Sequence, residues 1–467
     1  MTIDSSWLHA FKEDAPHAFT NTIPFRPRAI FVDGQIKLMQ GFQREPLTWD
    51  QFIHRQFTRH LQKWFEVSDI IVLAFDNYEH VPRAKCMTQA KRRKNVPQIP
   101  FSEHSELPAM VPEGDRWTQC IANRAFKTRV IDLVLLRLPQ ILLTSGEDHQ
   151  RKRLIVDYQE PREFAYDAHE GRVKSEVLMG MPTLGEADVK FARYTELYDN
   201  LLVDSIDGDS VPIALMHLER ALRSTTPQRI PRIAIYRMEL HLVKTERTAG
   251  VKRGAAGNDD PEVARSKRER RTYEFVHINA LHTLLKQAIA QSTGRVTSPT
   301  HAGHEMAMIV ALIALTGTDF TRNLPQISGK TMFSLLPDIW GALSMAFDPS
   351  RDSLRVEPTL DVLVAHLYCT KFPNHLKRII KQDGAPALDA VLTELRGAPK
   401  IGQRLRDSLP SKERVACTVR NANWLLKYWG CTSDNPLPPD PVQPEYGFCR
   451  LANGATEYAD LCATGAR

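Results

Sequence analysis

Three apolar runs lead directly to acids: Ala29-Ile-Phe-Val-Asp33, Ile70-Ile-Val-Leu-Ala-Phe-Asp76 and Leu201-Leu-Val-Asp-Ser205, the last continuing as Ile206-Asp-Gly-Asp209. Short runs rich in β-branched residues, apolar on both alternating faces, suit strands buried on both sides, as in a parallel sheet. Arg153-Leu-Ile-Val-Asp157 is a weaker fourth run. Residues 53–66 and 122–142 lie between these runs and carry helical periodicity. Alternating strand and helix predicts an α/β fold with a central, mainly parallel sheet flanked by helices. An acid at the C-terminal end of such a strand stands where open α/β sheets place their sites.

Further along, Ile230–Val243 reads as a strand, with Tyr273-Glu-Phe-Val-His-Ile278 as a hairpin partner. Thr248–Arg265 between them has little apolar content and reads as an inserted mobile loop. A second stretch of low order runs from about Asn95 to Asp115 and contains several prolines. After Asp319 the pattern is helical to about Tyr428, and Pro436-Leu-Pro-Pro-Asp-Pro441 marks an extended tail. No internal repeat is visible. The expected organisation is a core over 1–331, with insertions at about 86–150 and 244–272, followed by a helical C-terminal region over 332–467.

A chain of 467 residues can bury a large core, and its 42% hydrophobic and 25% charged content is that of a globular protein. No apolar run reaches membrane-spanning length. Met1-Thr-Ile-Asp-Ser-Ser-Trp7 lacks the basic and apolar regions of a secretory signal, so an intracellular place, cytoplasmic or nuclear, is expected. The seven cysteines form no Cys-x-x-Cys pair, so neither a zinc site nor a disulfide framework is expected. A net charge of +6 is too mild to indicate nucleic acid on its own. Its distribution says more. Six Lys/Arg and no acid lie between His80 and Lys94, and Lys244–Arg271 is basic too.

The acids extend beyond the strand ends. Glu186 and Asp188 open a helix in Leu184-Gly-Glu-Ala-Asp-Val189, Asp207 and Asp209 follow a strand, and Asp319 follows the apolar helix Ala307–Leu315. Each alone reads as a cap or turn residue. Brought together, Asp33, Asp76, Glu186, Asp188, Asp207, Asp209 and Asp319 would repel and raise one another's pKa. A divalent cation resolves that repulsion, and an oxygen-rich carboxylate site suits two ions of Mg²⁺ or Mn²⁺. Such a metal site points to phosphodiester chemistry.

With these motifs in place, the chain resembles the PIN-like 5′ nuclease superfamily, the flap-endonuclease-like (FEN/XPG) and Xrn-type 5′→3′ nucleases. The likeness covers roughly residues 1–331. Asp33 matches the first family aspartate and Phe75-Asp76 the second. Gly185-Glu-Ala-Asp188 is similar to the family's Glu-x-Glu, Ser205-Ile-Asp-Gly-Asp209 to its Asp-x-Asp, and Gly317-Thr-Asp-Phe320 to its last metal-site aspartate. The resemblance implies a PIN-like core, the seven acids as metal ligands and two-metal hydrolysis. It also implies phosphate binding by Lys85 and Arg92, seven residues apart and on one helix face with Gln89. Pro82-Arg-Ala-Lys85 with Gln89, Arg92 and Arg93 resembles the Xrn 5′-phosphate pocket, where Arg forks and a Lys suit a terminal phosphate. Residues 86–150 would then cover the site as an arch or lid threaded by a single strand.

The chain departs from both branches. Thr2 stands where flap endonucleases carry glycine. Leu324-Pro-Gln-Ile-Ser-Gly-Lys330 has one glycine where their duplex-clamping hairpin has two, and Met39 stands near the place of the base-stacking Xrn histidine. No sliding-clamp peptide is evident, and a monomer is expected. The chain therefore reads as a divergent member of neither branch: a metal-dependent 5′ nuclease on single-stranded or flapped nucleic acid, RNA favoured over DNA. The alternatives are an mRNA-degrading endonuclease of the same fold and a non-catalytic nucleic-acid-binding scaffold. His301 and His304 read as packing or capping residues. Gly329-Lys-Thr331 lacks the upstream glycine of a phosphate loop.

Overall fold

A computed structural model describes residues 8, 12, 16–41, 45–77, 97, 99–143, 151–178, 184–224, 230–242, 269–293, 301–318, 324, 326–380, 387–398, 401–431, 440–443, 446–450 and 456–458. Its centre is a nine-stranded sheet. The strands are β1 (Phe19–Thr20), β2 (Ala29–Asp33), β3 (Ile70–Ala74), β4 (Arg153–Asp157), β5 (Arg162–Asp167), β6 (Arg172–Val177), β7 (Asn200–Asp204), β8 (Arg232–Leu242) and β9 (Glu269–His277), in the order β1-β9-β8-β7-β2-β3-β4-β5-β6. The five central strands β8, β7, β2, β3 and β4 are mutually parallel. Antiparallel pairs extend both edges. From β2 the chain moves outward to β3 and β4, and later returns to β7 and β8 on the other side. The order therefore reverses between β2 and β7. Doubly wound sheets bind ligands at such a point, outside the carboxyl ends of the strands.

Both faces of the sheet are covered, and the period-two alternation shows how. Phe31, Val72, Ala74, Ile155, Leu201, Val203, Ile233 and Ile235 enter one apolar cluster, whereas Ile30, Val32, Ile71, Leu73, Leu154, Val156, Leu202 and Ala234 enter the other. The second cluster is closed by helical residues 49–65, which pass through a π turn at His54–Thr58, and by Gly114–Ala122 and Arg124–Leu143. These last two helices thus fill a core layer within the stretch 86–150. The first cluster is larger. The helices used below are α1 (Gly34–Met39), α2 (Arg59–Phe65), α3 (Arg124–Leu143), α4 (Ala187–Leu197), α5 (Ser210–Arg223), α6 (Ile278–Thr293), α7 (Glu305–Leu315), α8 (Leu336–Ala346) and α9 (Lys412–Trp429). α7 is buried along its whole length, which explains why it is apolar on every side. Residues 336–429 share this cluster with α4 and α5, so the C-terminal helices and the sheet have one continuous core.

Two features differ from the sequence reading. The β5–β6 hairpin was not anticipated. Half of its strand residues are charged, none is fully buried, and Asp167 Oδ1 accepts the N–H groups of His169 (2.8 Å) and Glu170 (3.1 Å) in the turn. A charged edge strand protects a sheet from pairing with other chains, but it erases the apolar signal by which strands are read. In addition, Cys449 is disulfide-bonded, where no disulfide was expected. Cys120, Cys369, Cys417 and Cys431 are buried thiols outside any disulfide. Of the expected basic loop at 244–272, residues 269–272 belong to β9 and 244–268 lie outside the described residues. Among the described residues no helix is long and apolar enough to cross a membrane.

Candidate functional site

The acids stand at the carboxyl ends of β2, β3 and β7, around the reversal point. Asp33 ends β2 and caps α1, its Oδ1 accepting the Ile36 N–H at 3.1 Å. Gly34 follows because nothing larger fits. A Cβ there would lie 2.7 Å from the Phe75 ring and 2.9 Å from the Ala74 carbonyl. Asp76, just past β3, accepts the Ala187 N–H at 3.0 Å, and the Asn77 N–H donates to the Gly185 carbonyl at 2.6 Å. The end of β3 thus holds the first turn of α4, which carries Glu186 as N-cap residue and Asp188 inside the turn. After β7, Ser205 Oγ accepts the Asp207 N–H at 3.2 Å, and Asp207 Oδ1 accepts the Asp209 N–H at 3.3 Å, where α5 begins.

These connections bring distant acids together. Asp33 is buried, and its carboxyl is pushed well above the usual carboxylate range. Burial is the largest cause, followed by the charge of Asp76; Asp188 and Asp207 add to it, while the Ile36 N–H opposes. Four acids from four chain segments therefore share one electrostatic site. Glu186 and Asp188 also push the buried Tyr428 hydroxyl well above its ordinary range, after burial, so their charges face it. Asp209 joins the group through Asp207. Asp319, Lys85, Gln89, Arg92 and Arg93 lie outside the described residues. Gly317, two residues before Asp319, has φ 100°, a backbone conformation that favours glycine.

Among the described residues no three His, Cys, Asp or Glu side chains close on a common point as a ready-made metal cage. Carboxylates that repel one another have no reason to approach ligating distance without a cation between them. The donor set consists of carboxylate oxygens, which suits hard divalent cations better than zinc or copper.

Three supporting groups escaped the sequence reading. Tyr428 comes from α9, far along the chain, and nothing in the local sequence ties it to Glu186. Lys190, one turn into α4, is completely buried, and its Nζ donates to the carbonyls of Phe75 (2.7 Å), Asp157 (3.1 Å) and Tyr158 (3.1 Å). It also pairs with Asp157 at 3.1 Å, while Arg193 and the Tyr194 hydroxyl (2.9 Å) take the other carboxylate oxygen. Burial alone would raise Asp157, but Lys190 and Arg193 hold it below its ordinary range. This network locks α4, and with it Glu186 and Asp188, to the ends of β3 and β4. The third group lies on the opposite face. Asp204 ends β7 in the phase of the second cluster and meets His60, Trp64 Nε1 (2.9 Å) and Lys37 Nζ (3.5 Å), anchoring α1 and α2 to β7. Burial would raise this carboxyl, yet the hydrogen bond from His60 and the charge of Lys37 keep it low. The spacing of acid to strand in Leu201–Asp204 was a usable signal for this anchor, overshadowed by Asp207 and Asp209.

No family model matches the chain, and no curated protein does. Similar solved structures include two complexes of the catalytic core of Rad2 with DNA substrate, complexes III and IV. Each is 13% identical with a TM-score of 0.35, over 88% of this chain and 86% and 84% of those chains. A score of 0.35 does not establish a shared fold.

Proposed function

We propose that the chain is a divalent-metal-dependent 5′ nuclease that hydrolyses phosphodiester bonds of single-stranded or flapped nucleic acid, with RNA favoured over DNA. The observation that carries the reading is the setting of Asp33, whose carboxyl is raised first by burial and then by the charges of Asp76, Asp188 and Asp207, acids from three other segments of the chain. Burying like charges together is costly unless something compensates them, and a cation does so. In this reading Asp33, Asp76, Asp188 and Asp207 hold the metal, with Glu186, Asp209 and Asp319 completing the set. Two Mg²⁺ or Mn²⁺ ions bound there would supply Lewis acidity and activate water for attack on phosphorus. Asp76 keeps the first turn of α4 in place, Tyr428 lies within the field of Glu186, and the Lys190–Asp157–Arg193 network keeps the helix from shifting. Lys85, Gln89, Arg92 and Arg93 are proposed to hold the phosphate, and residues 86–150 to border the strand's path.

The test is cleavage of 5′-labelled single-stranded RNA, single-stranded DNA and a DNA flap, in Mn²⁺ and in EDTA. Metal-dependent cleavage that Asp207→Asn abolishes is expected, with the RNA cut fastest. A circular RNA separates the endonuclease alternative from an enzyme that needs an end. Binding without cleavage of any substrate in Mn²⁺ refutes the proposal and leaves the scaffold reading.

A further inference from the structure

A charged cavity lies about 100° round α9 from Tyr428. Its volume is about 650 Å³, and it is bordered by Arg351, Arg355, Arg420, Lys427, Asp348 and Tyr446, among others. Among the described residues of the lining, four cations stand against one carboxylate, a balance of +3. Among the described residues neither Arg420 nor Lys427 forms an ion pair. Lys427 instead lies over the Tyr446 ring, 5.6 Å from its centroid. Asp348 is already occupied: its Oδ1 accepts the Ser350 N–H (3.1 Å) and Oγ–H (2.7 Å), and Arg355 stands 3.9 Å away. Among the described residues of the lining, Asp348 is therefore the one carboxylate set against this positive charge.

The walls are fixed. Asn423 accepts the Leu354 N–H and donates to the Leu354 carbonyl, both at 2.7 Å, which pins α9 to the short hairpin of Phe347–Asp348 and Ser353–Leu354. Asn421 donates to the carbonyls of Tyr446 (2.8 Å) and Gly447 (3.2 Å), pinning the opposite wall. Gly447 has φ 70° and packs so closely that a Cβ would lie 3.0 Å from the Cys417 carbonyl. Arg420, Asn423 and Lys427 follow at i, i+3 and i+7 and so share one face of α9. Tyr428, about 100° further round, faces Glu186.

We propose that this cavity is an anion site that takes phosphate groups. A rigid pocket in which Arg420 and Lys427 form no ion pair among the described residues suits a phosphate oxyanion, and planar Arg donors add geometric fit. Its source is the backbone of a nucleic-acid strand running along α9, or a free phosphate compound small enough for the cavity. The site does not depend on the acids being catalytic, and its test excludes metal.

The experiment measures fluorescence anisotropy of a labelled single-stranded oligonucleotide in EDTA across a salt series, and thermal shifts with inorganic pyrophosphate. For the wild type the logarithm of affinity falls with the logarithm of salt. The double variant Arg420→Gln/Lys427→Gln should flatten that slope by about 1.4, from roughly 0.7 per phosphate contact, and weaken binding on the order of ten- to a hundredfold at about 50 mM salt. Asp348→Asn, which adds net positive charge, should tighten binding. Unchanged oligonucleotide binding with loss of the pyrophosphate shift supports the phosphate site and identifies its ligand as a free phosphate compound. If the double variant matches the wild type with both probes, the cavity is not a phosphate site.

Discussion

Glu219→Gln should stabilise the protein, and more so as pH rises. Glu219 lies on α5, almost completely buried, and its Oε2 accepts the N–H groups of Met306 (2.9 Å) and Ala307 (3.2 Å) at the start of α7. It thereby ties the helix that begins after Asp209 to the helix that leads towards Asp319. Burial, only partly offset by those N–H groups, raises its carboxyl from 4.5 to about 8. Glu305 raises it further and Arg223 lowers it; His282 stands 3.9 Å from its other oxygen, with Lys286 beyond, paired with Glu305. The folded-state pKa lies above the unfolded one. The group's contribution is therefore intact below about 4.5 and is lost as pH rises towards 8, where the folded state must either hold a proton or bury a charge. At about 1.4 kcal/mol per pH unit, the loss is below about 1 kcal/mol at pH 5, about 3 kcal/mol at pH 7, and about 5 kcal/mol above pH 9. Glutamine keeps the two backbone bonds, and its amide can face His282 without titrating. Denaturant unfolding of both proteins at pH 5, 7 and 9 gives the difference directly. A stability difference that stays constant over this range would refute the buried-proton argument. His282, lowered to about 4, supplies a separate acid limb in both proteins, because a buried neutral imidazole loses stability as pH falls below its unfolded pKa.

Asp157→Asn removes the anion between Lys190 and Arg193 and leaves two buried cations uncompensated. A loss of about 3–5 kcal/mol in urea unfolding is expected at pH 7. Because Asp157 sits below its ordinary range in the fold, the deficit should shrink as pH falls and the wild-type carboxylate takes up a proton. Tyr428→Phe, by contrast, removes only the hydroxyl at Glu186; Mn²⁺ affinity should fall several-fold while the apo melting temperature moves by a few degrees at most. Equal affinities would remove Tyr428 from the site.

The sheet was legible because its central strands are buried on both faces, so residues 29–32, 70–74 and 201–203 present unbroken apolar runs. The hairpin of β5 and β6 was illegible for the opposite reason: charged residues are scattered along both strands, and its side chains are exposed or only partly buried. Site acids at strand ends, such as Asp33 and Asp76, could be read from their position after a run. Glu186 and Asp188 were found from their place in a helix's first turn. What holds those acids was hidden. Lys190 and Arg193 look like ordinary polar positions of an exposed helix, and only the packing of α4 against β2, β7 and α5 makes them buried partners of Asp157. Tyr428 depends on a contact between residues more than two hundred positions apart, which no local pattern encodes.

The central claim is that Asp33, Asp76, Asp188 and Asp207 form a site for divalent cations. Calorimetric titration of Mn²⁺ into the apo protein tests it without any substrate. The account predicts saturable binding of two ions for the wild type, and loss of at least one ion together with greater apo stability for Asp33→Asn, which removes one of the repelling charges. Binding that Asp33→Asn leaves unchanged, or no saturable binding at all, would contradict it.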